Sequence, residues 1–160
     1  MSTALFPGSF DPFHYGHLDV VEQAHALFGN VIVCAMVNPQ KPSGMFTAVE
    51  RLDMIIACIR HLPGASVANR FGLVVDAARD LSVDFIVKGL RTVSDFETET
   101  TMAHTNHVVG GVRTVFVPCD PARGFVSSSY IRDISRYGGD VSGLVPPPVL
   151  AGLRAKNPTT

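Results

Sequence analysis

The chain has 160 residues, 46% of them hydrophobic and 17% charged, which is enough for one complete core and too apolar for a disordered segment. Thirteen basic and fourteen acidic residues leave a formal net charge of −1 with no run of like sign, so any anion site must be a local cluster. The longest apolar runs are strand-sized, residues 1–11 lack the basic and apolar parts of a signal peptide, and Cys34, Cys58 and Cys119 lie apart in apolar segments. We therefore expect a cytoplasmic protein with free thiols, no nucleic-acid partner and no membrane segment.

Along the chain, β-branched runs at residues 4–6, 31–37, 66–69, 85–87 and 114–117 read as strands that are apolar on both faces. Helical spacing fills the intervals. A helix is expected over about 16–27, and Thr47-Ala48-Val49-Glu50 is a capping box opening a second helix whose Val49, Leu52, Ile56 and Ile59 share a face. Ser94-Asp95-Phe96-Glu97 reads as another such box, residues 130–137 as a helix ended by Gly138-Gly139, and Pro146-Pro147-Pro148 as the start of a last helix over about 149–156. Strands buried on both faces and separated by helices predict an α/β fold: a single-domain, Rossmann-like, doubly wound five-stranded parallel sheet with helices on both faces, spanning 1–160. Such sheets bind ligands at the carboxyl ends of their strands.

The segment Pro7-Gly8-Ser9-Phe10-Asp11-Pro12-Phe13-His14-Tyr15-Gly16-His17 joins the first strand to the first helix, whose unpaired N–H groups would point at the loop and favour an anion. His14 and His17 fall at the helix start, where an imidazole could donate to a phosphate oxygen. On spacing alone they read equally as ordinary polar loop residues or as a metal-binding pair, for which no third ligand is apparent. Lys41 follows the second strand and Lys88 closes the fourth, so both would stand at the same sheet edge as His17. Gly89-Leu90-Arg91 allows close approach of the backbone to a ligand and offers a planar donor fork. Ser127-Ser128-Ser129 precedes a helix and presents hydroxyls with backbone N–H groups, a cradle for a β- or γ-phosphate.

Phe6-Pro7-Gly8-Ser9-Phe10-Asp11-Pro12 with His14-x-Gly16-His17 resembles the opening signature of the HxGH nucleotidyltransferases, and closely that of the phosphopantetheine adenylyltransferases. The likeness continues through Asn38-Pro39-Gln40-Lys41, Gly44-Met45-Phe46 with Glu50-Arg51, Val87-Lys88-Gly89-Leu90-Arg91 with Asp95-Phe96-Glu97, Phe125-Val126-Ser127-Ser128-Ser129 with Arg132, and Gly138-Gly139-Asp140-Val141. It implies adenylyl transfer from ATP to 4′-phosphopantetheine in coenzyme A synthesis, with Mg²⁺ carried by ATP and no metal ligand from the protein. It implies His17, Lys41 and Arg91 as catalytic residues. It places Ser9, Phe10, His17, Gly89, Leu90, Arg91, Glu99, Arg123, Gly124, Phe125, Val126, Ser127, Ser128 and Ser129 on ATP, and Ser9, Lys41, Val74 and Lys88 on the acceptor. A homohexamer and feedback by coenzyme A are implied in the same way. His14 stands where this family usually carries threonine, Thr98 where tyrosine is common, Arg123 where an aromatic is common and Arg132 where lysine is common. A full His-x-Gly-His is usual in cytidylyltransferases and nicotinamide mononucleotide adenylyltransferases, so another phosphorylated acceptor and a non-catalytic nucleotide-sensing module are the alternatives.

Overall fold

Alternation of two-sided apolar runs with one-sided helical ones produces strictly alternating elements in the computed structural model, which describes residues 1–37 and 44–157. They are β1 (Ser2–Gly8), α1 (Tyr15–Phe28), β2 (Gly29–Val37), α2 (Ala48–Ile59), β3 (Ala65–Phe71), α3 (Val74–Asp80), β4 (Phe85–Leu90), α4 (Val93–Gly110), β5 (Arg113–Pro118), α5 (Ser128–Arg136) and α6 (Pro147–Lys156). The five strands form one sheet in the order β3-β2-β1-β4-β5, every pair parallel, as the two-sided burial predicts. After β3 the chain returns across the sheet to place β4 on the free side of β1. The winding direction therefore reverses between β1 and β4, and the connections leaving these two strands part to open a crevice.

Side chains alternate across the sheet. Ala4, Phe6, Val31, Val33 and Ala35 point to one face and join Val21 of α1, Ile55 of α2, Ile131 of α5 and Leu153 of α6 in the larger core. Leu5 and Cys34 point to the other face, where the buried cluster is completed by Ala77 and Ala78 of α3. Among the described residues, no helix is long and apolar enough to cross a membrane.

The Thr47–Glu50 capping box forms as expected, with Glu50 N–H on Thr47 Oγ1 at 3.2 Å and Thr47 N–H on Glu50 Oε2 at 2.7 Å. The box expected at Ser94 does not. Thr92 has the extended backbone of an N-cap and accepts the Asp95 N–H, so Ser94 lies inside α4. Two other helices begin earlier than periodicity predicts. Proline at the first two positions starts α6 at Pro147, and Ser127 caps α5, bringing Ser128 and Ser129 into the helix. The seven-residue α3 is too short to show a periodic stripe.

Candidate active site

The carboxyl ends of β1 and β4 open into a cavity of about 270 Å³, walled also by α1 and by the segment between β5 and α5. Of the residues singled out in the sequence, Phe10, His14, His17, Lys88, Gly89, Arg91, Arg123, Val126, Ser127 and Ser128 line it. They come from three separate stretches of chain, 10–17, 88–91 and 123–128. The reversal of strand order is what brings them together.

The β1–α1 connection is shaped by Phe10, which adopts φ +50 although it is not a glycine, and whose ring is nearly closed to solvent. That backbone is held from several sides. Asp11 accepts the N–H groups of Met45 and Phe46 at 2.9 Å each and pairs with Arg51, which also donates to the Ser9 carbonyl at 3.1 Å. Arg132, which stands where lysine is common in the family it resembles, donates Nη1 to the Asp11 carbonyl at 2.6 Å. The α5 arginine thus braces the first loop.

His14 is the N-cap of α1, and the two histidines cap the helix reciprocally. His14 Nδ1 accepts the His17 N–H and His17 Nδ1 accepts the His14 N–H, both at 3.3 Å. An Nδ1 that accepts carries no proton, so each neutral ring holds its proton on Nε2 as a donor. The rings stack at a centroid separation of 3.5 Å. Glycine at 16 gives the stacked pair room, because a Cβ there would lie a tight 3.0 Å from His14 Cε1. Part of the His17 ring stays open to the cavity while Phe6, Phe10 and Phe13 surround the rest, at centroid distances of 6.2, 5.0 and 5.5 Å. Loss of hydration, then the proximity of His14 and of the Arg91 cation, holds the His17 pKa well below the ordinary imidazole value. Burial, aided by Arg91, lowers that of His14 to about 4. Both rings are neutral donors at physiological pH.

On the β4 side, Lys88 Nζ lies 3.4 Å from Glu99 of α4, and Arg91 pairs with Asp95. Glycine at 89 serves packing as well as approach: a Cβ would fall 2.5 Å from Val20 Cγ2 and 2.8 Å from Cys119 Sγ. Beyond β5, Arg123 lies over the Tyr15 ring at 5.3 Å. Ser128 Oγ donates to the Pro12 carbonyl at 2.9 Å, and Ser127 and Ser129 share one hydrogen bond at 2.8 Å. One hydroxyl proton of that pair remains to donate, beside the first N–H groups of α5.

Ser9, Leu90, Glu99, Gly124, Phe125 and Ser129 adjoin these walls in sequence or by contact but do not line the cavity, and the Phe125 side chain is largely exposed. Val74 stands apart from the cavity, at the start of α3, where it packs against the smaller core. Lys41 lies outside the described residues. The structure adds Cys119 and Val20 to the lining, one just past the carboxyl end of β5 and the other on the inner face of α1, positions that only the strand order brings to the crevice. Burial raises the Cys119 pKa, so at neutral pH the thiol is uncharged and contributes a small neutral wall.

The all-parallel five-stranded sheet is consistent with the cytidylyltransferase-like fold, and the family model so described matches residues 5–134. The chain is 44% identical over 156 residues to a phosphopantetheine adenylyltransferase of Corynebacterium diphtheriae, covering 98% of each chain. It is 44% identical over 160 residues to one of Frankia casuarinae and 41% identical over 157 residues to one of Synechocystis, again with 98% of each chain covered. It belongs to the phosphopantetheine adenylyltransferase family.

Proposed function

We propose that this chain, read as one nucleotidyltransferase domain, transfers an adenylyl group from ATP to 4′-phosphopantetheine, giving dephospho-coenzyme A and pyrophosphate. The observation that carries the reading is the cavity itself: two neutral imidazoles, Lys88, Arg91 and the serine-led start of α5 face one space at the reversal of strand order. An oxygen of the acceptor phosphate attacks the α-phosphorus of ATP in line. A new P–O bond forms there as the bond to the β-phosphate oxygen breaks, and pyrophosphate leaves. The acceptor is already an oxyanion, so positioning and charge stabilisation carry the catalysis and no general base is needed.

His17 offers its Nε2–H to an α-phosphate oxygen, where charge rises most in the five-coordinate state. Its neutrality matters, because the ring keeps its proton throughout and the nucleophile is not drawn into a competing ion pair. Lys88 and Arg91 compensate the triphosphate, and the α5 N-terminus with Ser127 and Ser129 receives the departing phosphates. Ser9, Phe10, Gly89, Leu90, Glu99 and the 123–126 segment are assigned to ATP, with Glu99 toward the ribose. Ser9, Lys41 and Val74 are assigned to the acceptor, with Lys88 shared and Lys41 acting also in catalysis. Mg²⁺ would arrive with ATP and offset the charge of its phosphates, with no side chain of this chain assigned as its ligand.

A cytoplasmic homohexamer inhibited by coenzyme A belongs to the same proposal. α4 exposes Phe96, Met102, Val108 and Val109, surface that a subunit contact would cover, and coenzyme A carries both halves of the product that the cavity would hold.

Pyrophosphate release from ATP or CTP with 4′-phosphopantetheine, nicotinamide mononucleotide or glycerol 3-phosphate tests the reading. The expected outcome is release only with ATP and phosphopantetheine. Release with another pair would make His14 the mark of a different acceptor, and ATP binding without release from any pair would leave a nucleotide-sensing module. Lys41→Ala should raise the KM for the acceptor and leave that for ATP near its original value.

A further inference from the structure

Asp95 holds the third position of α4, where a carboxylate ordinarily turns back to the N–H of its own helix cap. Its backbone does join the cap, donating to Thr92 Oγ1 at 3.1 Å. Its carboxylate is diverted to the preceding residue. It accepts the Arg91 N–H at 3.2 Å and grips the guanidinium through two more bonds, Nε to Oδ2 at 3.0 Å and Nη2 to Oδ1 at 3.3 Å. A further bond, Nη1 to the Val126 carbonyl at 3.4 Å, ties Arg91 to the segment leading into the serine run.

A guanidinium has five N–H donors, and these bonds engage one each from Nε, Nη1 and Nη2. One N–H therefore remains on each terminal nitrogen, the pair that holds a phosphate in a two-pronged grip. Arg91 lines the cavity and Asp95 does not. An exposed pair four residues apart on a helix ordinarily contributes little. This one has three bonds on a single carboxylate, and the Asp95 side chain is only 25% exposed. The hydrogen bond from Arg91 also holds the Asp95 pKa below its ordinary value, so the carboxylate stays charged across the neutral range.

We propose that Asp95 is a positioning residue that aims the free N–H pair of Arg91 at the triphosphate and, through the Val126 carbonyl, sets the spacing between the β4 loop and the start of α5. Asp95 acts on the nucleotide half of the reaction and only by way of Arg91. The inference rests on the adenylyl-transfer reading, and its test separates the two.

The test is a double-mutant cycle of Asp95→Asn, Arg91→Ala and the combined variant. Each is followed by pyrophosphate release with ATP and 4′-phosphopantetheine, by calorimetric binding of ATP, and by the thermal midpoint. Asparagine keeps the size and the cap N–H while removing the charge. Asp95→Asn should lower kcat/KM for ATP on the order of tenfold, as loss of a charged hydrogen bond does, with the acceptor KM and the midpoint unchanged. The combined variant should be no slower than Arg91→Ala alone. Additive losses, or equal changes in both KM values, overturn the proposal. If the wild-type protein releases no pyrophosphate, the adenylyl-transfer reading fails. The cycle is then decided by ATP binding, which Asp95→Asn must weaken only when Arg91 is present, additivity again overturning it. Should Asp95→Asn lower the midpoint, Asp95→Glu takes its place in the cycle, because it keeps the charge and alters only its reach.

Discussion

Against the face of the sheet that carries α1, α2 and α6, Phe13, Ile55, Val149 and Leu153 are closed to solvent, whereas on the other side α4 runs for eighteen residues without burying one. The cavity draws on both. From the packed side come the histidines, clamped by three phenyl rings and by a helix cap made of their own ring nitrogens. From the open side come carboxylates, Glu99 on Lys88 and Asp95 on Arg91, that hold the cations at the crevice edge. The contrast separates two physical tasks. A donor aimed at developing charge needs a rigid setting, because its value lies in not having to reorganise. Cations that receive and release phosphates need partners that hold them while leaving other donors free, and the carboxylates of α4 stand where they can do so.

The sharpest way to break this comparison is to remove the rigid donor. His17→Ala should lower kcat by about 10²–10³ while ATP affinity stays within several-fold, measured by pyrophosphate release and calorimetry. A near-normal kcat would take catalysis away from the packed side.

The next effect is on stability. The His14 pKa is about 4 in the folded protein against 6.5 for a free imidazole. Above pH 6.5 the ring is neutral in both states and its contribution is complete. Between 6.5 and 4 the unfolded chain takes up a proton that the folded one refuses, so stability falls as the pH falls, by roughly 3 kcal/mol over the window. Urea unfolding at stepped pH should show at least this slope, and His14→Thr, which keeps a capping oxygen, should make it shallower while leaving the part that buried His17 contributes. An unchanged slope in that variant would place the proton uptake elsewhere.

Smaller changes compare the faces directly. Ile55→Val in the larger core should cost about 1 kcal/mol in denaturant unfolding. Val108→Ser on α4 should cost less than about 0.5 kcal/mol, because the side chain is 85% exposed, and under the proposed homohexamer should act instead on sedimentation. Equal losses at the two sites would show that α4 is not the loosely held side. Amide exchange should agree, with α4 exchanging before α1.

Much of this was legible in the residues. Two-sided apolar runs fixed five parallel strands, Thr47 and Glu50 announced their capping box, and the His-x-Gly-His segment put its two histidines at the start of the first helix, because each of these signals is local and periodic or follows from a fixed spacing. Boundaries were less legible where two caps compete. Ser94 and Thr92 are both capping residues, and only the backbone path out of β4 chose Thr92. Tertiary structure alone decided the rest. Strand order brings the ends of β1 and β4 side by side although some eighty residues separate them, and no pattern within either strand records which neighbour it takes. The protonation of His17 depends on its burial among Phe6, Phe10 and Phe13, on His14 and on Arg91, and the last of these is brought to it from β4 by the fold. Which carboxylate meets which cation likewise follows from how α4 lies along β4. Local chemistry determined what the groups are, and the three-dimensional path of the chain determined what they face.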